Sequence, residues 1–282
     1  MKGLVTKKQA NKFWVESNQT FVCTAQKKLK SNGIFVGDFV EFDEKESQIL
    51  KLLPRKNKLL RPPVANIDAL IILITSAPQP DFYLLDKLLL FCGVNGIEPI
   101  ICHSKSDLEK SHAQELKNAY GKHFVVLEIS SKNKVGIETL ISCIEGKTSA
   151  LAGQSGVGKS ALLNALTDGK SAVEGELSAK IERGKNTTRH SQLFKIKENT
   201  FVADTAGFSS LDETYLPISA EELAKYYPEF VEQLPNCKFS TCTHTHEPDC
   251  AVLKALKNKE IDKQRYDRYL QILENLKQKA YR

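Results

Sequence analysis

The stretch "LAGQSGVGKSALLNAL" (residues 151–166) contains G-x-x-x-x-G-K-S at residues 153–160. Few patterns constrain a fold so tightly. Glycines at 153, 156 and 158 free the backbone to wrap an anion with its N–H groups pointing inward, and the helix that follows adds the positive end of its dipole. The pattern needs a strand before it and a helix after it. Residues 149–154 read as the strand and residues 159–167 as the helix. Lys159 is then placed to neutralise β- and γ-phosphates, and the Ser160 hydroxyl to hold Mg²⁺. Expected nucleotide contacts in the loop are Gly153, Gln154, Ser155, Gly156, Val157, Gly158, Lys159, Ser160 and Ala161.

About half of the 282 residues precede this loop. Residues 1–61 read as short strands with alternating apolar and polar residues, "KFWVES", "TFVCTAQ" and "DFVEFDE", separated by polar turns. This suits a small β-barrel of the oligonucleotide-binding kind. Two prolines in "RPPVAN" (residues 61–66) mark a boundary. Strands at 67–75, 98–104 and 124–130 then alternate with helical patterns at 84–94, 107–119 and 136–145. Such alternation predicts a parallel α/β sheet. Strands near 191–196 and 200–204 close that domain. Beyond residue 210 the chain reads as helical, with a long terminal helix from about residue 259. The expected division is a barrel at 1–61, an α/β phosphate-loop domain at 62–210 and a mostly helical domain at 211–282.

Four further segments carry chemistry. "DTAG" at 204–207 follows a strand, so Asp204 can hold Mg²⁺ through water and the Gly207 N–H can reach a γ-phosphate. In "GKNTTRH" (184–190) a threonine, Thr187 or Thr188, can complete the magnesium shell, and sequence alone does not choose between them. The working magnesium set is Ser160, Thr188 and Asp204; the working catalytic set is Lys159, Thr187, Thr188, Asp204 and Gly207. "HSKSDL" (103–108) contributes Ser104, Lys105, Ser106 and Asp107 at a strand end. A carboxylate at 107 can accept from guanine N1–H and the 2-amino group but meets an acceptor on adenine, while the Lys105 stem can cover the base face. "SSK" (Ser130, Ser131, Lys132), again after a strand, can offer an N–H to guanine O6. Together they favour guanine.

The order is informative. Base-reading segments come first, then the phosphate loop, the threonine loop and D-x-x-G. An ordinary GTPase has the same cyclic order but begins at the phosphate loop. The residues upstream are therefore an extra domain plus the half of the nucleotide domain that usually comes last. D-x-x-G is left at the edge of the following domain, to which its movements can pass directly.

"CKFSTCTHTHEPDC" supplies Cys237, Cys242, His244 and Cys250 as C-x₄-C-x-H-x₅-C. Three thiolates and an imidazole suit one tetrahedral structural zinc. His246 is the rival fourth ligand, and the His244 spacing is preferred. Net charge is +6 and uneven: +7 over residues 1–61, +5 over 254–282 and −6 between them. Basic ends of this kind suit nucleic-acid contact. The longest apolar run, at 69–75, is too short to span a bilayer, and the N-terminus lacks a signal-peptide pattern. A cytoplasmic location without membrane contact is expected.

The motifs "GQSGVGKSALLNAL", "DTAGF" and "NTTRH", with the Cys/His cluster followed by "AV", resemble the circularly permuted, ribosome-associated GTPases called RsgA or YjeQ. The resemblance spans the whole chain. It implies a monomeric GTP hydrolase acting on the small ribosomal subunit in late maturation, stimulated by it, with barrel and zinc domain on ribosomal RNA. The alternative is an RNA-binding assembly factor that holds GTP or GDP with little turnover. Three departures stand out. Ser104 occupies the place of the family's Asn, Ala206 that of a Pro, and Asn186 that of a His proposed to assist hydrolysis. Phe208 stands where many GTPases carry a water-orienting Gln. Slow unassisted hydrolysis follows as the expectation, with Arg183 and Arg189 as candidate arginine fingers.

Overall fold

The computed structural model describes residues 1–26, 29, 33–60, 62–108, 112–169, 192–204, 208, 211 and 216–280. Thr187, Thr188, Asn186, His190, Arg183, Arg189, Ala206 and Gly207 lie outside that set. Strands β1 (Lys2–Gln9), β2 (Lys12–Glu16), β3 (Thr20–Ala25), β4 (Phe39–Asp43) and β5 (Gln48–Leu52) pair in the order β1-β2-β3-β5-β4 and back to β1. Only β3 and β5 run parallel. The circuit closes a five-stranded barrel. Alternation is clean in β3, where Phe21, Cys23 and Ala25 point inward and their neighbours outward. Phe13, Val15, Val40, Phe42 and Ile49 complete the filling.

A hairpin of β6 (Lys58–Leu60) and β7 (Pro63–Ala65) straddles the expected boundary at residue 61. It lies close against the barrel. A Cβ on Gly37, where φ is +91°, would stand 2.0 Å from the Ala65 carbonyl oxygen, so no other residue fits there.

The second sheet contains β8 (Ala69–Ile74), β9 (Glu98–His103), β10 (Val125–Glu128), β11 (Thr148–Ala152), β12 (Gln192–Lys197) and β13 (Thr200–Asp204) in the order β10-β9-β8-β11-β13-β12. All pairings are parallel except β12 with β13. β8 and β11 are buried along their whole length, as central strands covered on both faces must be. Helices α1 (Phe82–Asn95), α2 (Ala113–Tyr120), α3 (Ile137–Ile144) and α4 (Lys159–Leu166) link the strands. α2 begins later than the sequence pattern predicts, because Lys105 takes a positive φ of 56° and residues 105–108 form a turn after the strand, closed by the Leu108 N–H on the Lys105 carbonyl at 3.0 Å. Lys7 pairs with Gln192, which joins barrel and α/β sheet into one ladder, and the Lys195–Glu16 ion pair at 2.8 Å reinforces the seam.

The C-terminal part holds the short α5 (Pro228–Val231), α6 (Ala251–Lys257) and α7 (Lys263–Ala280). α6 and α7 are separate because Lys259 adopts φ +63° and the Asp262 side chain caps α7 at the Arg265 N–H (2.8 Å). α1 is apolar nearly all round and is shared: residues 84, 85 and 88–92 belong to one core with Tyr227, Phe230, Tyr269, Ile272 and Leu273.

Candidate nucleotide site and metal centre

Strands β8, β9, β10, β11 and β13 all deliver their carboxyl ends to one edge of the sheet, where open α/β sheets bind ligands. β11 feeds the loop at 153–160. Gly153, Gly156 and Gly158 take φ values of +127°, +81° and +100°. At Gly153 a Cβ would meet the Leu73 carbonyl oxygen at 2.3 Å, so the first turn requires glycine for space as well as for conformation. Val157 is fully buried and anchors the loop, while Ser155, Gly156, Ser160 and Ala161 stay exposed. The Lys159 ammonium folds over the loop and donates to the carbonyls of Gly153 (2.6 Å) and Gln154 (2.8 Å). Burial lowers the Lys159 pKa, and the Asp204 charge works against that shift. Asp204 stands at the end of β13 with part of its surface in solvent. Burial raises its carboxyl, and Lys159 partly offsets the rise.

The segment after β9 reaches the same loop. Ser104, 4% exposed, donates its hydroxyl to the Val157 carbonyl at 2.6 Å. Lys105 donates to the carbonyls of Gly156 (2.9 Å) and Ala77 (2.7 Å). From the turn after β10, the Ser130 hydroxyl donates to Asp107 Oδ1 at 2.6 Å. That bond, helped by the charges of Lys132 and Lys105, holds the Asp107 carboxyl below its ordinary range, so it is an ionised acceptor at neutral pH. Ser106 donates its N–H to the Ile129 carbonyl at 3.1 Å, and Ser131 and Lys132 follow Ser130 at the rim. Base-reading and phosphate-reading candidates therefore meet at one place. The described parts of the magnesium set, Ser160 and Asp204, lie at this edge; Thr187, Thr188 and Gly207 lie outside the described residues. Sequence reading missed Asp81, which caps α1 and binds the Gln154 side chain through its N–H. Its signal was present, an Asp immediately before an apolar helical run.

The second site lies in the C-terminal part. The ligand atoms of Cys237, Cys242, His244 and Cys250 lie within 4.8 Å of one another. His244 Nδ1 is 3.4 Å from the Cys250 sulfur and 3.8 Å from the Cys237 sulfur. His246 is exposed and bonded to Thr245 at 2.9 Å, outside the set. The loop is braced by Tyr266, whose hydroxyl donates to the His244 carbonyl (2.7 Å), and by Tyr269 on the Thr243 carbonyl (2.9 Å). Burial would raise the Glu247 carboxyl, but the Thr243 hydroxyl and several backbone N–H groups outweigh it and hold the pKa far below the usual range. Three sulfurs and one imidazole nitrogen converging in this way can hold a metal ion.

Counting strands from the phosphate loop and continuing through β8 turns the spatial order into 6-5-4-1-3-2, with strand 2 antiparallel. The molecule is thus a circularly permuted P-loop GTPase with an N-terminal barrel and a C-terminal Cys₃His centre. A family model described as RsgA GTPase matches residues 52–214. "Small ribosomal subunit biogenesis GTPase RsgA" of Ruminiclostridium cellulolyticum is 39% identical over 287 residues, covering 98% of this chain and 93% of that protein. A protein named "Small ribosomal subunit biogenesis GTPase RsgA 2" from Oceanobacillus iheyensis is 42% identical, with 97% of each chain covered. Among solved structures, YjeQ from Thermotoga maritima superposes with a TM-score of 0.81 at 34% identity, covering 98% of both chains. YloQ, described as a circularly permuted GTPase, gives 0.80 at 31%, covering 99% of this chain and 95% of that one. This chain belongs to the RsgA GTPase family and is a GTP hydrolase.

Proposed function

We propose that the protein hydrolyses GTP to GDP and phosphate as a timed step in maturation of the small ribosomal subunit, the process named for its relatives. The observation that carries the reading is the joining of Ser104 and Lys105 to the phosphate loop at Val157 and Gly156, because it supports one guanosine nucleotide spanning both. In this reading Asp107 accepts from the guanine N1–H and 2-amino group, with Ser130, Ser131 and Lys132 at O6. The 153–161 loop wraps the phosphates and Lys159 leaves its carbonyls for them. Ser160, Thr188 and Asp204 would hold Mg²⁺, which neutralises charge on the transferring phosphoryl group. Thr187 and Gly207 complete the catalytic set.

The ligand chemistry at Cys237, Cys242, His244 and Cys250 supports one structural zinc, with no position left for substrate. The working units are 1–61, 62–210 and 211–282, with the basic ends holding ribosomal RNA phosphates. The protein works as a cytoplasmic monomer without membrane contact; among the described residues no helix is long and apolar enough to cross a membrane.

GTP turnover measured with and without purified small subunits tests the proposal. Slow release of phosphate alone and acceleration of at least about tenfold with subunits is the expected result; a partner-supplied group can give 10³–10⁵. Turnover of several per second without subunits would sink the stimulated switch. Subunit binding with no turnover under single-turnover conditions would leave an RNA-binding assembly factor instead.

A further inference from the structure

α1 is tied to the phosphate loop in two places, at Gln154 through the helix N-cap and at Gly153 through Phe208. The Gln154 side chain accepts the Asp81 N–H and donates to the Gln79 carbonyl, both at 2.9 Å. Asp81 in turn caps α1 at the Leu84 N–H, at 2.8 Å. Further along the helix, Phe91 meets the ring of Phe208 edge to face at 5.5 Å, and the Phe208 carbonyl accepts the Gly153 N–H at 3.2 Å.

α1 is also gripped from the C-terminal part, at Asp86 in its second turn. Asp86, with no exposed side-chain surface, receives Arg265 and Arg268 from α7 and the Tyr120 hydroxyl at 2.8 Å. Arg265 also pairs with Glu229 of α5, and its guanidinium lies 4.8 Å from the Tyr120 ring and 4.9 Å from that of Tyr227. Arg268 lies 5.3 Å from the ring of Phe82, at the first residue of α1. Two carboxylates and two guanidiniums share a dry space, so the group is neutral only as a whole. Removing one partner leaves an uncompensated buried charge. Apolar contacts alone let packed helices slip, whereas directional bonds from two guanidiniums, one to each oxygen of the same carboxylate, set both the rotation and the height of α1.

We infer that Arg265 and Arg268 are positioning residues for the phosphate loop: they fix α1, and α1 fixes the Gln154 side chain. The C-terminal metal-bearing part and the nucleotide site are thereby coupled through a helix of the GTPase sheet, in addition to the direct chain connection after Phe208. The coupling is reciprocal, so whatever moves α7 changes nucleotide affinity. A simpler account has the cluster act only as a staple between two parts of the protein.

The inference rests on nucleotide binding at residues 153–160, so binding of a fluorescent GDP to the full-length wild type is the control, and its failure would count against the proposed function instead. Arg268 is the variant of choice because it sits at the cluster's edge, 12% exposed, and leaves Arg265 on Asp86. R268Q, Q154A and the double variant are compared well below their melting temperatures. R268Q is expected to weaken GDP binding about fivefold, the lower end of ordinary coupling between sites. In the Q154A background the same change is expected to fall below about twofold, because the side chain through which it acts is gone, whereas sites without a connection would behave additively and show the full effect in both backgrounds. Unchanged GDP affinity in a folded R268Q protein with a lowered melting temperature would make the cluster a staple and overturn the inference, as would the same fold-change in both backgrounds. R268K keeps the charge without the fork and should recover part of the affinity; if R268Q does not fold, R268K in both backgrounds carries the same test.

Discussion

Ser104 holds the Val157 carbonyl at 2.6 Å, across 53 positions of sequence. The family's Asn is replaced by a residue whose short side chain spends its one donor inside the protein. In this chain position 104 is a brace for the phosphate loop, and in the proposed reading the base is left to Asp107 and the turn after β10. Ser104→Ala removes the donor while Val157, fully buried, keeps its carbonyl. The expected loss is about 1–3 kcal/mol of stability, the cost of an unpaired buried acceptor. Melting with and without GDP checks it, and the nucleotide-induced rise should shrink as well.

Asp107 is ionised and accepts from the Ser130 hydroxyl at 2.6 Å and from its own backbone N–H. Asp107→Asn exchanges half of its acceptors for donors, which oppose guanine N1–H and the 2-amino group. GTP and GDP affinity should fall by about 100-fold, the equivalent of one or two bonds to a charged group. Xanthosine nucleotides, which present an acceptor at position 2, should bind the variant better than guanosine nucleotides. Direct titration with both series decides the point; equal GTP binding by wild type and variant would remove Asp107 from base reading.

The Cys₃His loop is irregular backbone braced by two tyrosine hydroxyls and by the Glu247 carboxylate, with its four ligand atoms brought within 4.8 Å of one another. Metal binding should therefore contribute folding energy. Removal with a strong chelator is expected to release one equivalent of zinc per chain and to lower the melting temperature by about 5 °C or more, since each kcal/mol is worth a few degrees at this size. Cys242→Ser should do the same without chelator, whereas His246→Ala should leave metal content at one. A loss of metal in the His246 variant would transfer the fourth ligand to that residue.

The charges of Lys159 and Asp204 make the ligand-free site sensitive to pH. Burial lowers Lys159, so its contribution to stability is full above the ordinary lysine range and is lost as pH falls through the lowered value. Burial raises Asp204, so its contribution is full below the ordinary carboxylate value of 3.8 and is lost as pH rises through the raised value. Burial thus disfavours the charged form of both groups in the ligand-free site. Asp204→Asn is expected to match or exceed the wild type in ligand-free melting temperature at pH 7 and to lose the extra stabilisation by Mg²⁺ with GTP. Melting from pH 4 to pH 7 should show the wild type declining relative to the variant. A variant that is less stable throughout would reverse the sign assigned to Asp204.

Local chemistry explains what could be read from the sequence. The phosphate loop announces itself because its glycines are required one by one by backbone geometry, and the metal loop because its ligands fall within fourteen residues. Cyclic order of such segments is enough to show the permutation. Barrel closure was suggested by alternation, but its parallel β3–β5 pairing was not, since register lies between strands rather than in them. The brace by Ser104 was hidden because a serine has no spacing rule. Asp86 and Arg265 lie 179 positions apart, and neither sits in a pattern that predicts a buried charge. On the helical pattern of α1, Asp86 reads as the polar position facing water. α7 covers it.

Phe208 occupies the place where many GTPases orient water with a glutamine, and here the ring is fully buried against Phe91. The backbone at this point also serves the phosphate loop, through the Gly153 N–H. Phe208→Gln would therefore not install a water-positioning group. It would place an amide in an apolar core and remove a large ring, which costs about 3–5 kcal/mol for comparable truncations. The expected outcome is a melting temperature lower by about 5 °C or more, unassisted GTP hydrolysis no faster than wild type and weaker GDP binding, because the backbone carbonyl of residue 208 stays but is no longer held at the Gly153 N–H by a packed ring. Phe208→Leu keeps the site apolar and should retain most of the binding. A stable Gln variant with hydrolysis raised about tenfold or more without subunits would show that residue 208 swings out to the nucleotide, contrary to its place in the α1 core.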